Sequence, residues 1–296
     1  MTLRVSGISK AYGAVQALNG CDLEVERGQL VGFLGPNGAG KTTTMRAIMG
    51  LVELDSGTIS WDGKPMDRSH RGRVGYLPQE RGLYVRMSVF DHVEYIGIIA
   101  GLDRATAASR ADEWIERVGL TDRRDDKIQE LSVGNQQRVQ LAVAMVHDPD
   151  LLILDEPFAG LDPVAVATLT GVMDEQVALG KAVVFSSHQL DLVQDMCEHV
   201  TVVAEGSTVV SGRVHDLRSS SPRRRLIVTW AGPAPSWTSP LGETLASADQ
   251  AKTIVEVESS ADPASLIADA AAAGAIASVT FEPPGLDEVF LELVSR

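Results

Sequence analysis

The stretch Gly35-Pro36-Asn37-Gly38-Ala39-Gly40-Lys41-Thr42 sets a lysine and a hydroxyl directly after a glycine-rich turn, with Thr43 behind them. The spacing is G-x-x-x-x-G-K-[ST], and each residue type has a physical use there. Glycines let successive backbone N–H groups turn inward around an anion. A helix starting at this point adds the partial positive charge of its N-terminus. Lys41 supplies a mobile ammonium for outer phosphates, and the Thr42 hydroxyl can ligate Mg²⁺. A glycine-rich turn with an accidental lysine is the bland alternative. Against it, an apolar run from Leu30 to Leu34 leads into the turn and a helical pattern (Met45, Ile48, Met49) leads out.

Other residues could serve the same chemistry. "DLLILDEP" (150–157) reads as a buried strand, Leu151 to Leu154, ending in Asp155 and then Glu156. An acid at such a strand end holds Mg²⁺ beside a phosphate loop, usually through water. A second carboxylate next to it can polarise a water for attack on phosphorus. Two adjacent acids in a solvated turn would be the ordinary reading elsewhere. "AVVFSSH" (182–188) is an apolar strand ending in His188, whose neutral imidazole can donate to a phosphate oxygen. Gln79, in "YLPQERGLY", offers a neutral oxygen ligand, and Tyr12 offers a flat face to a purine. "LSVGNQQRVQLA" (131–142) reads by itself as a capped helix, with Ser132 as the cap. The remaining histidines share no ligand spacing, and Cys21 and Cys197 are far apart and read as reduced, incidental thiols.

Taken in order, these segments resemble the nucleotide-binding subunit of an ATP-binding-cassette (ABC) transporter. Residues 35–42 match the Walker A loop and 150–156 the Walker B strand. "YLPQERGLY" (76–84) is similar to the Q-loop, residues 131–135 to the signature loop, "AGLD" (159–162) to the D-loop, and His188 stands at the switch position. The resemblance covers about residues 1–215. It implies ATP and Mg²⁺ as cofactors, with Thr42, Gln79 and Asp155 around the metal and Glu156, His188 and Gln79 in hydrolysis. Tyr12 would stack on adenine, residues 35–43 would cradle phosphate, and Asp162 would supply the D-loop acid. It also implies that two copies pack head to tail, so that Ser132 and the Gly134 N–H of one face the nucleotide of the other. The signature departs from Leu-Ser-Gly-Gly-Gln at Val133 and Asn135. The groups aimed at phosphate are kept, and Val133 is compatible if its φ is below zero. A degenerate, non-hydrolysing cassette is the competing view, and Glu156 with His188 argues against it.

The elements that must position these residues are legible in outline. Residues 1–30 and 57–62 have strand patterns expected to pair antiparallel. Residues 85–148 are mostly helical by pattern and match the family's helical subdomain. Residues 150–215 alternate strand and helix, so a mainly parallel core sheet is expected. The alternation points to an α/β class, and the resemblance implies a P-loop NTPase of the ABC type with an antiparallel β subdomain, a helical subdomain and a small C-terminal α+β domain. The expected division is 1–217 for the nucleotide-binding domain, 218–225 for a polar linker ("RSSSPRRR") and 226–296 for the accessory domain. That last segment resembles a C-terminal extension of export-type ABC ATPases.

Composition narrows the partners. The chain has 296 residues, 44% of them apolar and 22% charged, and a formal net charge of −14. Such a balance disfavours a general nucleic-acid surface. "MTLRVSGISK" has no apolar core and no run of about 18 apolar residues occurs, so neither a secretory leader nor direct membrane insertion is expected. The resemblance implies separate membrane-spanning permease subunits as partners, a second copy of the chain, and a cytoplasmic, peripheral place on the inner face of the membrane. The alternative is a soluble ABC ATPase acting on ribosomes or DNA. Such proteins carry two cassettes or a long coiled coil, and this chain has one cassette and neither feature. A P-loop kinase of another class is disfavoured by the signature and D-loop segments.

Overall fold

The computed structural model describes residues 2–239, 241–245 and 251–294. The chain forms two compact units, residues 1–212 and 213–296.

The first unit is built on a six-stranded sheet in the order Ser207–Arg213, His199–Ala204, Leu30–Leu34, Ala182–Ser187, Leu151–Leu154, Val74–Leu77. The four pairings from His199–Ala204 across to Val74–Leu77 are parallel. The three central strands Leu30–Leu34, Leu151–Leu154 and Ala182–Ser187 are buried at every position. Continuous apolar runs of this kind belong to a sheet covered on both faces. Register then fixes the functional edge. Leu34 lies opposite Ser187, Phe185 opposite Leu154, and Leu154 opposite Leu77. The segments leaving these strands therefore emerge along one edge, which is where ligands bind in open parallel sheets.

A second sheet, in the order Val15–Glu26, Thr2–Tyr12, Ser56–Trp61, Lys64–Pro65, is antiparallel. Its inward residues, among them Leu3, Val5, Ile8, Leu18 and Leu23, join Phe33, Met45 and Ile153 in one core. Helices Val89–Ile99, Arg104–Arg117 and Val133–Met145 make up the helical part. Each is capped at its start by a side-chain oxygen, from Ser88, Asp103 and Ser132.

His92 is buried in the first of these helices with no hydrogen-bond partner on either ring nitrogen. Burial pushes its pKa down to about 4. The unfolded chain therefore binds a proton more readily than the folded one between pH 6.5 and 4. Its contribution to stability is intact above pH 6.5 and shrinks as pH falls toward 4, the whole loss of about 3 kcal/mol being reached only below the folded-state value. Urea midpoints measured from pH 7 to 4 should fall, and His92→Leu should flatten that fall. An unchanged pH slope in the variant would refute the assignment. Burial lowers His147 in the same direction, so some acid sensitivity should persist.

The second unit carries an antiparallel sheet in the order Gly242–Leu245, Lys252–Glu258, Arg223–Trp230, Ile276–Glu282. Leu226, Val228, Trp230, Val255 and Val257 face helix Pro263–Ala273 through Leu266 and Ala270, with Trp237 edge-on to Trp230 at 5.8 Å. Helix Leu286–Val294 closes the described chain. The short edge strand Gly242–Leu245 has no counterpart in the sequence reading. Gly274 follows the last residue of helix Pro263–Ala273 in extended backbone with φ −178°. Residues 218–225 are not a free linker. They comprise the end of helix Val214–Ser219, a turn, and the first residues of strand Arg223–Trp230. The arginine run is strand-like because its members have partners: Arg223 pairs with Glu256, Arg225 with Glu288, and Arg224 donates to the Ser221 carbonyl at 2.8 Å.

Candidate nucleotide site

Gly35 leaves the strand Leu30–Leu34 and begins a loop that only glycine can make at two points. A Cβ on Gly35 would lie 2.2 Å from the Val203 carbonyl oxygen. Gly40 has φ +100°, and a Cβ there would meet the Ala17 carbonyl at 2.7 Å. The loop ends in helix Lys41–Ile48, whose start has no side-chain cap, so the N–H groups of its first turn are left for a ligand at the loop.

Lys41 is almost fully buried and donates to the carbonyls of Gly35 at 2.7 Å and Pro36 at 3.2 Å. Its ammonium also lies 3.3 Å from Glu156 Oε1. The other oxygen of Glu156 lies 2.9 Å from His188 Nδ1, so a ring N–H there donates to the carboxylate. Lys41, Glu156 and His188 thus form one line of charge and hydrogen bonds. Glu156 itself has φ +49°. A left-handed backbone at a non-glycine residue costs on the order of 1–3 kcal/mol and clusters at functional sites.

Asp155 is fully buried, and burial pushes its carboxyl pKa up. Its Oδ1 accepts from Ser186 Oγ at 2.7 Å and from Thr42 Oγ1 at 3.2 Å. Its Oδ2 is buried and has no partner. An orphaned carboxylate oxygen beside a threonine hydroxyl suits a hard divalent cation, which takes oxygen ligands. Among the described residues no group of three His, Cys, Asp or Glu is arranged to hold a metal ion. The remaining ligands of such a cation would be amide, phosphate and water oxygens.

A cavity of about 240 Å³ is lined by Ala17, Asn37, Gly38, Gly40, Lys41, Thr42, Thr43, Gln79 and Glu156. The structure thus brings the phosphate loop, Gln79 and Glu156 onto one space. Tyr12 lies outside this lining, half exposed at the end of its strand, with Lys10 Nζ 5.5 Å from its ring centre. Asp155, His188, Ser132, Gly134 and Asp162 also lie outside it. Ser132 accepts from the Asn135 N–H at 3.3 Å, and Asp162 caps helix Pro163–Ala178 through the Ala165 N–H at 2.8 Å. Val133 has no positive φ, which meets the condition set for its place in the signature, and its side chain is half exposed. The helix begun by Ser132 sends two buried glutamines to the site loops. Gln137 donates to the Pro157 carbonyl at 3.3 Å and Gln140 to the Pro78 carbonyl at 3.3 Å. Ser186 and Ala17 escaped the sequence reading. A polar residue inside the apolar run "AVVFSSH" was the one available signal.

This fold and this loop define a P-loop nucleoside triphosphatase. Residues 18–159 match the family described as ABC transporter. The chain is 39% identical over 226 residues to an uncharacterized ABC transporter ATP-binding protein, YhaQ, of Bacillus subtilis strain 168, covering 76% of each. It is 33% identical over 300 residues to Nod factor export ATP-binding protein I of Cupriavidus metallidurans, covering 99% of this chain and 97% of that one. Among solved structures it is similar to cbiO1 of Clostridium perfringens, part of the ABC transporter complex cbiONQ, at a TM-score of 0.65 and 31% identity, covering 74% of this chain and 90% of that one. The chain belongs to the ABC transporter ATP-binding family, and it is an ATPase subunit of that class. ATP-binding subunits of this family work with membrane subunits. No helix among the described residues is long and apolar enough to cross a membrane.

Proposed function

We propose that this chain hydrolyses Mg²⁺-bound ATP to power export through separate membrane-spanning subunits, from the cytoplasmic face of the membrane, as a dimer of two copies. The observation that carries the chemistry is the convergence of Lys41, Asp155, Glu156 and His188 along one edge of the parallel sheet. Export is supported by the Nod factor export protein, whose likeness runs over nearly the whole chain.

In this reading the loop N–H groups and Lys41 hold the outer phosphates. Thr42, Asp155 and Gln79 would hold Mg²⁺, which neutralises phosphate charge when bound. Glu156 accepts the proton of the attacking water. Phosphate competes with Glu156 for the Lys41 ammonium, releasing the carboxylate to face water. The His188 N–H now shared with Glu156 is a donor for a γ-phosphate oxygen. Tyr12 stacks on the base. Ser132, Gly134 and Asp162 serve the site of the second copy.

Removing the Thr42 hydroxyl tests the metal assignment. Thr42→Ala should weaken Mg²⁺-dependent ATP binding by about tenfold, the scale of a lost ligand-shell partner, and leave metal-free ATP binding nearly unchanged. Titration of a fluorescent ATP analogue with and without Mg²⁺ reads both. Equal losses in the two conditions would contradict the assignment.

A further inference from the structure

Ser186 is fully buried at the penultimate position of strand Ala182–Ser187, between the two acids and the core. Its Oγ accepts from the Glu156 backbone N–H at 2.8 Å and donates to Asp155 Oδ1 at 2.7 Å. A hydroxyl has one proton to give, so the two contacts form a directed chain from Glu156 N–H through Ser186 O–H to the Asp155 carboxylate. Such chains polarise one another in a low-dielectric interior.

We infer that Ser186 is a positioning residue that sets both acids of the site from one hydroxyl. On Asp155 it pins Oδ1, and the planar carboxylate then turns its unpartnered Oδ2 to a fixed direction. On Glu156 it supplies the acceptor for a buried N–H at the residue whose backbone is left-handed. The strained turn is what aims the Glu156 side chain between Lys41 and His188. Without the hydroxyl, the N–H would be buried unsatisfied and the turn would lose the bond that holds it. The Asp155 carboxylate would keep only the longer Thr42 contact at 3.2 Å. Ser186 is fully buried, so it acts through the two acids that it holds.

This inference rests on the roles proposed for Asp155 and Glu156, and the test separates the two. In the full chain, Ser186→Ala and Ser186→Thr are compared with wild type for kcat, for the KM of ATP, and for Mn²⁺ affinity of the ATP-bound protein by electron paramagnetic resonance. Ser186→Ala should lower kcat and weaken Mn²⁺ binding, each by about 10-fold to 100-fold, with the KM of ATP within about threefold. Ser186→Thr, which keeps the hydroxyl, should restore both to within about threefold of wild type by the same argument. The inference is overturned if Ser186→Ala retains either kcat or Mn²⁺ affinity, if threonine fails to restore them, or if alanine abolishes ATP binding, which would mark a structural need. Glu156→Gln, measured alongside, isolates the underlying reading. Normal hydrolysis in Glu156→Gln sinks the base assignment, whereas a slow Glu156→Gln with a normal Ser186→Ala sinks the positioning role alone.

Discussion

Glu156→Gln is expected to slow ATP hydrolysis by about 10²-fold or more, the scale of a lost general base, while ATP binding persists or tightens. The side chain keeps its shape and can still meet His188 through its amide. It loses the negative charge that pairs with Lys41 at 3.3 Å. Phosphate then competes with no carboxylate for the ammonium, which favours the bound state. The left-handed backbone of residue 156 is untouched, and so is its N–H bond to Ser186. Loss of rate with kept affinity is therefore the signature of chemistry removed, not of a fold disturbed. ATP held without turnover should also keep two copies associated, visible as a larger species in sedimentation with ATP. A wild-type steady-state rate would mean that another group takes the proton.

The parts of this site that could be read in the sequence are those whose chemistry is local. The phosphate loop is one continuous segment between a strand and a helix, and Asp155 and Glu156 follow an apolar run directly. Continuous burial made those strands easy to see, since a sheet covered on both faces needs apolar residues at every position. The rest depends on register between distant segments. Ser186 meets Asp155 only because strand Ala182–Ser187 lies beside Leu151–Leu154 with Leu154 opposite Phe185. The ion pair between Lys41 and Glu156 joins segments far apart in the chain. The left-handed turn at Glu156 has no sequence mark, because the residue type argues against it.

The C-terminal unit shows the same limit from the other side. Arg223 and Arg225 look like a solvated charge run until Glu256 and Glu288 are brought to them. Strand Gly242–Leu245 is four residues long, and it is placed by the close approach of Gly242 to the Glu256 carbonyl, where a Cβ would sit at 2.2 Å. Neither feature has a period to detect.

Ser132→Arg is expected to abolish nucleotide-driven closure of two copies and with it nearly all hydrolysis, while ATP binding by each copy survives. The reason lies in where Ser132 stands. Its hydroxyl caps helix Val133–Met145 at the Asn135 N–H, in the first turn that also carries Gly134. If the capped helix end meets the nucleotide of a second copy, its free N–H groups face phosphate, and an arginine there blocks the approach. Lys41→Ala, by contrast, removes the cation inside the copy's own loop and should lose ATP binding. Alone, each variant disables both sites of a dimer. Mixed, they give a heterodimer in which one site carries both lesions and the other carries neither. Recovery of ATPase activity in the mixture, above either variant alone, is the expected result. If both residues served the site of their own chain, every site in the mixture would carry a lesion and no recovery could occur. Normal hydrolysis by Ser132→Arg, assayed with its membrane partner present, would leave the loop at 131–135 as the capped helix start that it resembles in isolation.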